Sequence, residues 1–293
     1  MTECEVTIMF RIYAKRLRFL AALLLVASFL VLPVFARFST IKVYIRGQEL
    51  ISEPMVRRIG DVTYVPLRAF VTALDETAEF SWSDKTQTAV VYTYGMEIKV
   101  RQDAQYIVAH GRYLYLGSST VRNEDGSLML PIRPLAQAFG LDVAWDSVRD
   151  YVLVTGQVQP ITPGWAFYNE ESVYWLSRIV YSEAGGEPLD GQIAVAQVVL
   201  NRKACYLWPN TIYGVIFDDR AGVQFSPTAN GSLYQEPSAE AIAAAKLALD
   251  GADVIGDCCY FLNPDISDDG WFERNCEYVT TIGSHKFYNG GLW

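Results

Sequence analysis

Residues 178–188 read RIVYSEAGGEP. A run of large side chains ends in a carboxylate, then come two glycines, a second carboxylate and a proline. The spacing predicts a helix over Glu171–Ala184, with Leu176, Ile179, Val180 and Glu183 sharing one face. Gly185 and Gly186 suit a left-handed helix cap. Glu183 then falls on the core side of the last turn, where the helix dipole disfavours a negative charge. Partial burial, the dipole and aromatic neighbours such as Tyr181 are all expected to raise its pKa. A carboxyl that holds its proton near neutrality has the profile of a general acid. The competing reading is a helix-end glutamate bent out into solvent.

The pattern downstream stays mostly helical. A second helix is expected from Asp190 as N-cap through GQIAVAQVVLNRKA. It is apolar on nearly every side and so reads as central, and its Gln197 and Asn201 need buried partners. QFSPTANG, residues 224–231, is turn-rich and reads as a loop or hairpin lining a groove. A third, alanine-rich helix follows, capped by Ser238 and stopped at Gly251. CCYFLNPD, from Cys258, reads as a buried strand. The last stretch, YVTTIGSHKFYNG, sets His285 among aromatic residues.

The N-terminal half is a repeat. VTYVPLRAFVTALDETAEFSW begins at Val62 and LMLPIRPLAQAFGLDVAWD at Leu128. Pro66 matches Pro131, Arg68 matches Arg133, and Trp82 matches Trp145. In each copy a strand ends at the proline, an amphipathic helix follows, and a strand carrying the tryptophan closes the unit. Leu67, Phe70 and Leu74 share a face of the first such helix. The stretches beginning at Ile41 and Met96 read as leading strands. TGQVQPITPGW, from Thr155, reads as a linker. The expected fold class is α+β: tandem β-rich repeats with short helices over 41–155, a linker over 156–169, and a mainly helical domain with a small β element over 170–293.

Composition narrows the function. From Glu170 onward there are seven Lys/Arg against seventeen Asp/Glu, a balance that repels nucleic-acid phosphates. Arg11, Lys15, Arg16 and Arg18 precede an uncharged run from Phe19 to Ala36. Residues 1–36 therefore read as a secretory signal cleaved after Ala36, or as an uncleaved anchor. Either way the chain from Arg37 onward is expected outside the cytoplasm. Export permits disulfides among Cys205, Cys258, Cys259 and Cys276, whose connectivity stays open. With only His110 and His285 as histidines, the cysteine spacings do not suit zinc, and no metal is expected.

Two resemblances follow from these motifs. The pair of repeats resembles the copper amine oxidase N-terminal-like, or stalk, domain common on exported proteins of Gram-positive bacteria. The stretches VYSEAGGEPLDGQIAVAQVVLNR, NTIYGVIF, QFSPTANG, YFLNPD and TIGSHKFY occur in this order over residues 172–289. Together they resemble the SleB-type cell-wall hydrolase family, which includes spore cortex-lytic enzymes. That resemblance implies a lysozyme-related catalytic fold that cleaves peptidoglycan glycan strands, generally as a lytic transglycosylase, with no cofactor. The first glutamate of the family signature Glu-Ala-Arg-Gly-Glu is the catalytic one and falls on Glu183; Gly185 stands where the family has arginine. Gln224, Ser226 and Asn230 are then candidates for bonding sugar groups, Tyr181, Tyr260 and Trp271 for stacking on sugar rings, and His285 for the same groove. Glu187, Asp218 and Asp219 are the candidate second carboxylates, with Glu187 also a candidate for orienting a loop. Alternatives are a lysozyme-type hydrolase, a non-catalytic wall-binding module, and an adhesion protein whose working part is the repeats.

Overall fold

The sequence Val62–Pro66 is a strand whose last residue, with φ fixed near −67°, turns the chain directly into the helix Leu67–Leu74. Pro131 does the same between strand Ser127–Pro131 and helix Ile132–Ala138. The computed structural model in which this is seen describes residues 39–290 apart from 52–55, 118–121, 125–126, 221 and 268–269. The apolar run from Phe19 to Ala36 lies outside the described residues. Among the described residues no helix is long and apolar enough to cross a membrane.

The N-terminal half runs β1 (Ser39–Thr40), β2 (Lys42–Ile45), β3 (Gln48–Glu49), β4 (Arg57–Ile59), β5 (Val62–Pro66), α1 (Leu67–Leu74), β6 (Glu79–Ser83) and β7 (Thr88–Thr93). It continues as β8 (Met96–Arg101), β9 (Tyr106–Ala109), β10 (Arg112–Tyr115), β11 (Arg122–Glu124), β12 (Ser127–Pro131), α2 (Ile132–Ala138), β13 (Asp142–Asp146) and β14 (Tyr151–Thr155). The equivalent strands β5 and β12 pair with each other, antiparallel, and the equivalent residues Val65 and Leu130 lie opposite. An approximate two-fold axis therefore passes between them, at the middle of the sheet β1-β4-β5-β12-β11. The leading strands cross over. β8 pairs with β7 of the first copy, whereas β2 runs parallel to β14 of the second. Leu67, Phe70, Val71 and Leu74 of α1 and Ile132, Leu135 and Ala136 of α2 are buried in one shared core.

The C-terminal half comprises α3 (Gly164–Phe167), α4 (Glu170–Ala184), α5 (Leu189–Ala204), α6 (Ile212–Ile216), α7 (Ser226–Asn230) and α8 (Ala239–Leu249). It ends in β15 (Tyr260–Leu262), α9 (Gly270–Asn275), β16 (Glu277–Ile282) and β17 (His285–Asn289), the strands forming an antiparallel sheet ordered β15-β17-β16. As its composition predicts, α5 is central, with α4, α6 and α8 packed on it. Ala241, Ala244 and Ala245 are fully buried and let α8 approach closely. Gln197 and Asn201 do satisfy backbone: their amides bond the Asp253 carboxylate and the carbonyls of Gly256 and Cys258, fixing the 253–258 loop.

Three local expectations are corrected. Gly185 is right-handed (φ −62°, ψ −18°), and its N–H bonds Tyr181 O in a continuation of the helix. The N-cap of α5 is Pro188; Asp190 lies inside the first turn, and its carboxylate accepts from Tyr115 OH (2.7 Å) and Gln105 (3.1 Å) instead. Residues 226–230 of QFSPTANG form the short helix α7, because Pro227 supplies a helical φ in the first turn; a left-handed Gly231 then ends it.

The stretch 156–169 is bonded down rather than loose. Gln159 N–H donates to Phe139 O, Gly164 N–H to His110 O, and His110 Nδ1 lies 3.1 Å from Ile161 O. Beyond it, the β9–β10 hairpin docks on the helical domain. Arg112 makes a two-point ion pair with Asp250 (2.9 and 2.5 Å), and Tyr168 OH donates to the same carboxylate at 2.8 Å. Tyr106, Tyr113 and Tyr115 pack on the helical core. Asp250 is 2% exposed, so removing its cation leaves a buried charge unpaired. Arg112→Ala is expected to lower stability by about 3 kcal/mol. It should also split thermal unfolding into two transitions by calorimetry; a single transition at the unchanged temperature would show that this pair does not couple the halves.

Candidate active site

Helix α4 begins well and ends badly for a carboxylate. Asn169 caps it, accepting from Ser172 N–H at 2.9 Å, and Glu170 and Glu171 sit at the favourable positive end of the dipole. Leu176, Ile179, Val180 and Ala184 are buried against α5, α6 and α8. That stripe carries Glu183 into a half-buried position in the last turn. Among the described residues it makes no hydrogen bond and no ion pair. Burial alone pushes its pKa from 4.5 up to about 7. Ser182 Oγ lies 3.2 Å from Ser232 O, which ties this end of α4 to the 3-10 turn Ser232–Tyr234. The 226–234 segment therefore walls the turn that bears Glu183.

Glu187 is held very differently. One carboxylate oxygen accepts from Ser284 N–H at 2.9 Å and the other from Ser284 Oγ. Burial works against its charge, but these two bonds and the nearby His285 outweigh burial and hold its carboxyl below the ordinary value. The contact joins the α4–α5 turn to the β16–β17 turn. It requires Gly283, which has φ +59° and whose added Cβ would collide with the Glu187 carboxylate. His285 is buried, edge-on to Phe261 with ring centres 5.2 Å apart, and its Nδ1 lies 3.8 Å from Glu187 Oε1. Burial, opposed by Glu187, pulls its pKa down and favours the neutral ring.

The other sequence-derived residues distribute unevenly. Tyr181 is half-buried against the core and its ring abuts Gly185, where an added Cβ would lie 2.5 Å from Tyr181 O and 3.1 Å from the ring. The arginine that the family resemblance places there would require the Tyr181 carbonyl and ring to shift. Ser226 and Asn230 are exposed beside α4, though Asn230 Oδ1 already accepts from Ser232 N–H, and Gln224 donates to Gly222 O. Tyr260 sits in an aromatic cluster with Trp208, Phe272 and Trp271, at ring-centre distances of 6.2, 6.0 and 6.4 Å. Asp218 is bound by Arg220 through two atoms (2.7 and 2.8 Å), and Asp219 is exposed.

Arg202 is the residue that sequence reasoning missed. Its buried guanidinium lies over the rings of Trp208 (4.3 Å), Phe225 (5.2 Å) and Tyr260 (5.4 Å), and Nε donates to Cys259 O. Burial brings its pKa down to about 10. It pins the start of the 226–234 wall to strand β15. The available signal was an arginine in the last turn of an otherwise apolar helix.

Among the described residues no group of three or more His, Cys, Asp or Glu is placed to hold a metal, and Cys205, Cys258, Cys259 and Cys276 are free thiols. The copper implied by the name of the N-terminal domain finds no fitting donors: residues 41–155 hold one histidine, His110, and no cysteine.

With this geometry in place, the relationships to known proteins can be stated. Residues 186–288 match the Cell Wall Hydrolase family, and residues 44–155 match the copper amine oxidase N-terminal domain. Each half of the chain thus matches a different family model. The helical half is similar to the spore cortex-lytic enzyme of Oceanobacillus iheyensis, 39% identical over 120 residues, or 41% of this chain and 42% of that protein. It is likewise similar to that of Bacillus subtilis, 36% identical over 120 residues, 41% of this chain and 38% of that protein. The match spans less than half the length of these curated relatives. The catalytic domain of the germination-specific lytic transglycosylase SleB from Bacillus anthracis is 35% identical, with a TM-score of 0.39, over 44% of this chain and 100% of that one. The family match begins at Gly186, just beyond Glu183, so the part played by Glu183 has to be argued from its surroundings.

Two consequences are measurable. The folded pKa of Glu183 lies above its unfolded value, so the folded state binds the proton more tightly. Stability from this group is intact below about pH 4.5 and falls as pH rises towards 7. Glu183→Gln removes the penalty and should gain about 3 kcal/mol relative to the parent between pH 4 and pH 8, read from urea unfolding at the two values. A gain independent of pH would place the carboxylate in water. Separately, Gly283→Ala should lower stability by about 2 kcal/mol or more, through its left-handed backbone and the lost Glu187–Ser284 contact. Gly186→Ala, where an added Cβ meets nothing within 4 Å, should leave the urea midpoint unchanged.

Proposed function

We propose that the chain is an exported peptidoglycan-cleaving enzyme, a lytic transglycosylase that cuts between N-acetylmuramic acid and N-acetylglucosamine in cell wall or spore cortex. The observation that carries the reading is Glu183: a half-buried carboxyl with no hydrogen bond or ion pair among the described residues and a pKa near 7 from burial alone. The similarity of the helical half to spore cortex-lytic enzymes supports the same reading. The domain division at 156–169, the N-terminal signal or anchor, and a wall-holding part for the repeats belong to this proposal. The acidity of the helical half supports the last of these, since charge alone would not steer it to an anionic wall.

In this reading Glu183 donates its proton to the bridging oxygen, the C1–O bond breaks, and an oxocarbenium-like centre develops at muramic C1. The carboxylate then takes the proton of the C6 hydroxyl, whose oxygen closes on C1. The product is a 1,6-anhydro sugar, Glu183 is again protonated, and no water is consumed. Tyr181, Gln224, Ser226, Asn230 and Tyr260 supply the groove, with His285 and Glu187 bracing its edge. Ordinary hydrolysis generally uses two carboxylates. Of the three candidates for the second, Glu187 is committed to Ser284 and Asp218 to Arg220, which leaves only the exposed Asp219 for a two-carboxylate route.

The test is mass spectrometry of fragments released from purified peptidoglycan and spore cortex. The parent is expected to release anhydro-muramic ends, with the rate falling above about pH 7 as the acid form is lost. Glu183→Gln should release about 10²–10⁴-fold less. Reducing ends in place of anhydro ends would make it a hydrolase, and equal activity of the variant would remove Glu183 from the chemistry.

A further inference from the structure

The N-terminal half holds two clefts that the catalytic reading does not use. One, of about 490 Å³, is lined by Arg68, Phe80, Ser81, Trp82 and Ala89 of the first repeat and closed by Leu128 of the second. The other, of about 330 Å³, is lined by Arg133, Val143, Ala144, Trp145 and Val152 of the second repeat and closed by Thr63 of the first, with Arg58, paired to Asp61, over one face of the Trp145 ring at 5.2 Å. These six residues of one cleft match the six of the other under the two-fold relation between β5 and β12, and the second cleft adds Arg58, Asp61 and Tyr115 to its lining. The six pairs differ at Phe80/Val143, Ser81/Ala144, Ala89/Val152 and Leu128/Thr63, yet both clefts keep the arginine and the tryptophan. Neither tryptophan is used as core: Trp82 is 43% exposed and Trp145 38%.

Each arginine is positioned yet unspent as a charge. Arg68 lies over the Phe80 ring at 4.2 Å, and Arg133 donates one N–H to Val143 O at 2.9 Å. Among the described residues neither has a carboxylate partner. A guanidinium carries five donors, so most remain for a ligand. An exposed indole beside a guanidinium with no carboxylate partner is the chemistry for a sugar ring that carries an anionic peptide. The flat face takes the apolar face of the ring, and the fork takes the anion at two points.

We infer that these clefts are a matched pair of glycan-binding sites for peptidoglycan strands, with Trp82 and Trp145 stacking on sugars and Arg68 and Arg133 taking stem-peptide carboxylates. The inference rests on peptidoglycan being the substrate of the helical half. The second cleft also points to that occupant by its location. Tyr115 lines it, and the Tyr115 hydroxyl donates to Asp190 in the first turn of α5, on the segment that follows Glu187. A strand held there lies against the catalytic domain itself.

The test is co-sedimentation of residues 39–293, which form one compact unit, with purified sacculi, all in a Glu183→Gln background so that the polymer survives. Trp82→Ala with Trp145→Ala, and Arg68→Ala with Arg133→Ala, should each weaken binding about tenfold or more, whereas one altered cleft should cost less because the other still holds. Amidating the stem-peptide carboxylates of intact sacculi should erase the effect of the arginine pair and spare that of the tryptophan pair. Unchanged binding by both pairs overturns the inference, and so does binding that vanishes when only phosphate-bearing wall polymers are stripped. Thermal melts check folding. Should Arg133→Ala unfold through loss of the Val143 bond, the tryptophan pair still decides. Release of fragments by the Glu183 parent is read in parallel. Cleft-dependent binding without release would fail the enzyme reading and leave the clefts standing; release with cleft-independent binding does the reverse.

Discussion

Keeping one carboxyl largely out of water is the constraint on which the helical half depends. Among the described residues Glu183 has no partner to offset its desolvation, so surrounding structure must supply the difference. The supply is visible: a stripe of fully buried aliphatic residues on α4, a central α5 with alanine-lined neighbours, and the 226–234 wall tied to α4 through Ser182. Glu187 shows the opposite solution four residues later. There two hydrogen bonds from Ser284 stabilise the charged form, and the carboxylate becomes a brace. Two glutamates close in sequence are driven to different protonation states by what each can reach.

The N-terminal half solves a different problem, that of closing a small repeat. One copy offers a strand, a short helix and a hairpin, too little to cover its own apolar face. Pairing β5 with β12 about a two-fold axis lets each copy cover the other, and the crossing of β2 and β8 locks the exchange. Phe70 and Phe139 come within 6.2 Å across the shared core. Because each cleft takes walls from both copies, neither copy alone would present one.

What could be read from residues alone follows the range of the physics. The position of Glu183 was legible because a helical period over Leu176, Ile179 and Val180 is local information. The repeat was legible because Pro, Arg and Trp recur in order. The form of the Gly185 turn was not, since glycine permits a left-handed cap without requiring it, and here the right-handed backbone continues. Asp190 was misplaced because its partner, Tyr115, lies 75 residues away. Glu187 finds Ser284 at a separation of 97 residues, and Arg202 sits beneath rings from separate segments. Which strand each repeat lends to the other has no local signal at all.

The bonded strap from Gln159 to Gly164 and the buried Arg112–Asp250 pair have a mechanical meaning. Two domains on a slack tether would each tumble, and anchoring one would leave the other to search. Here both halves share a single orientation. A surface that seizes the repeats therefore also aims the groove, so one capture event settles the angle of approach as well as the distance.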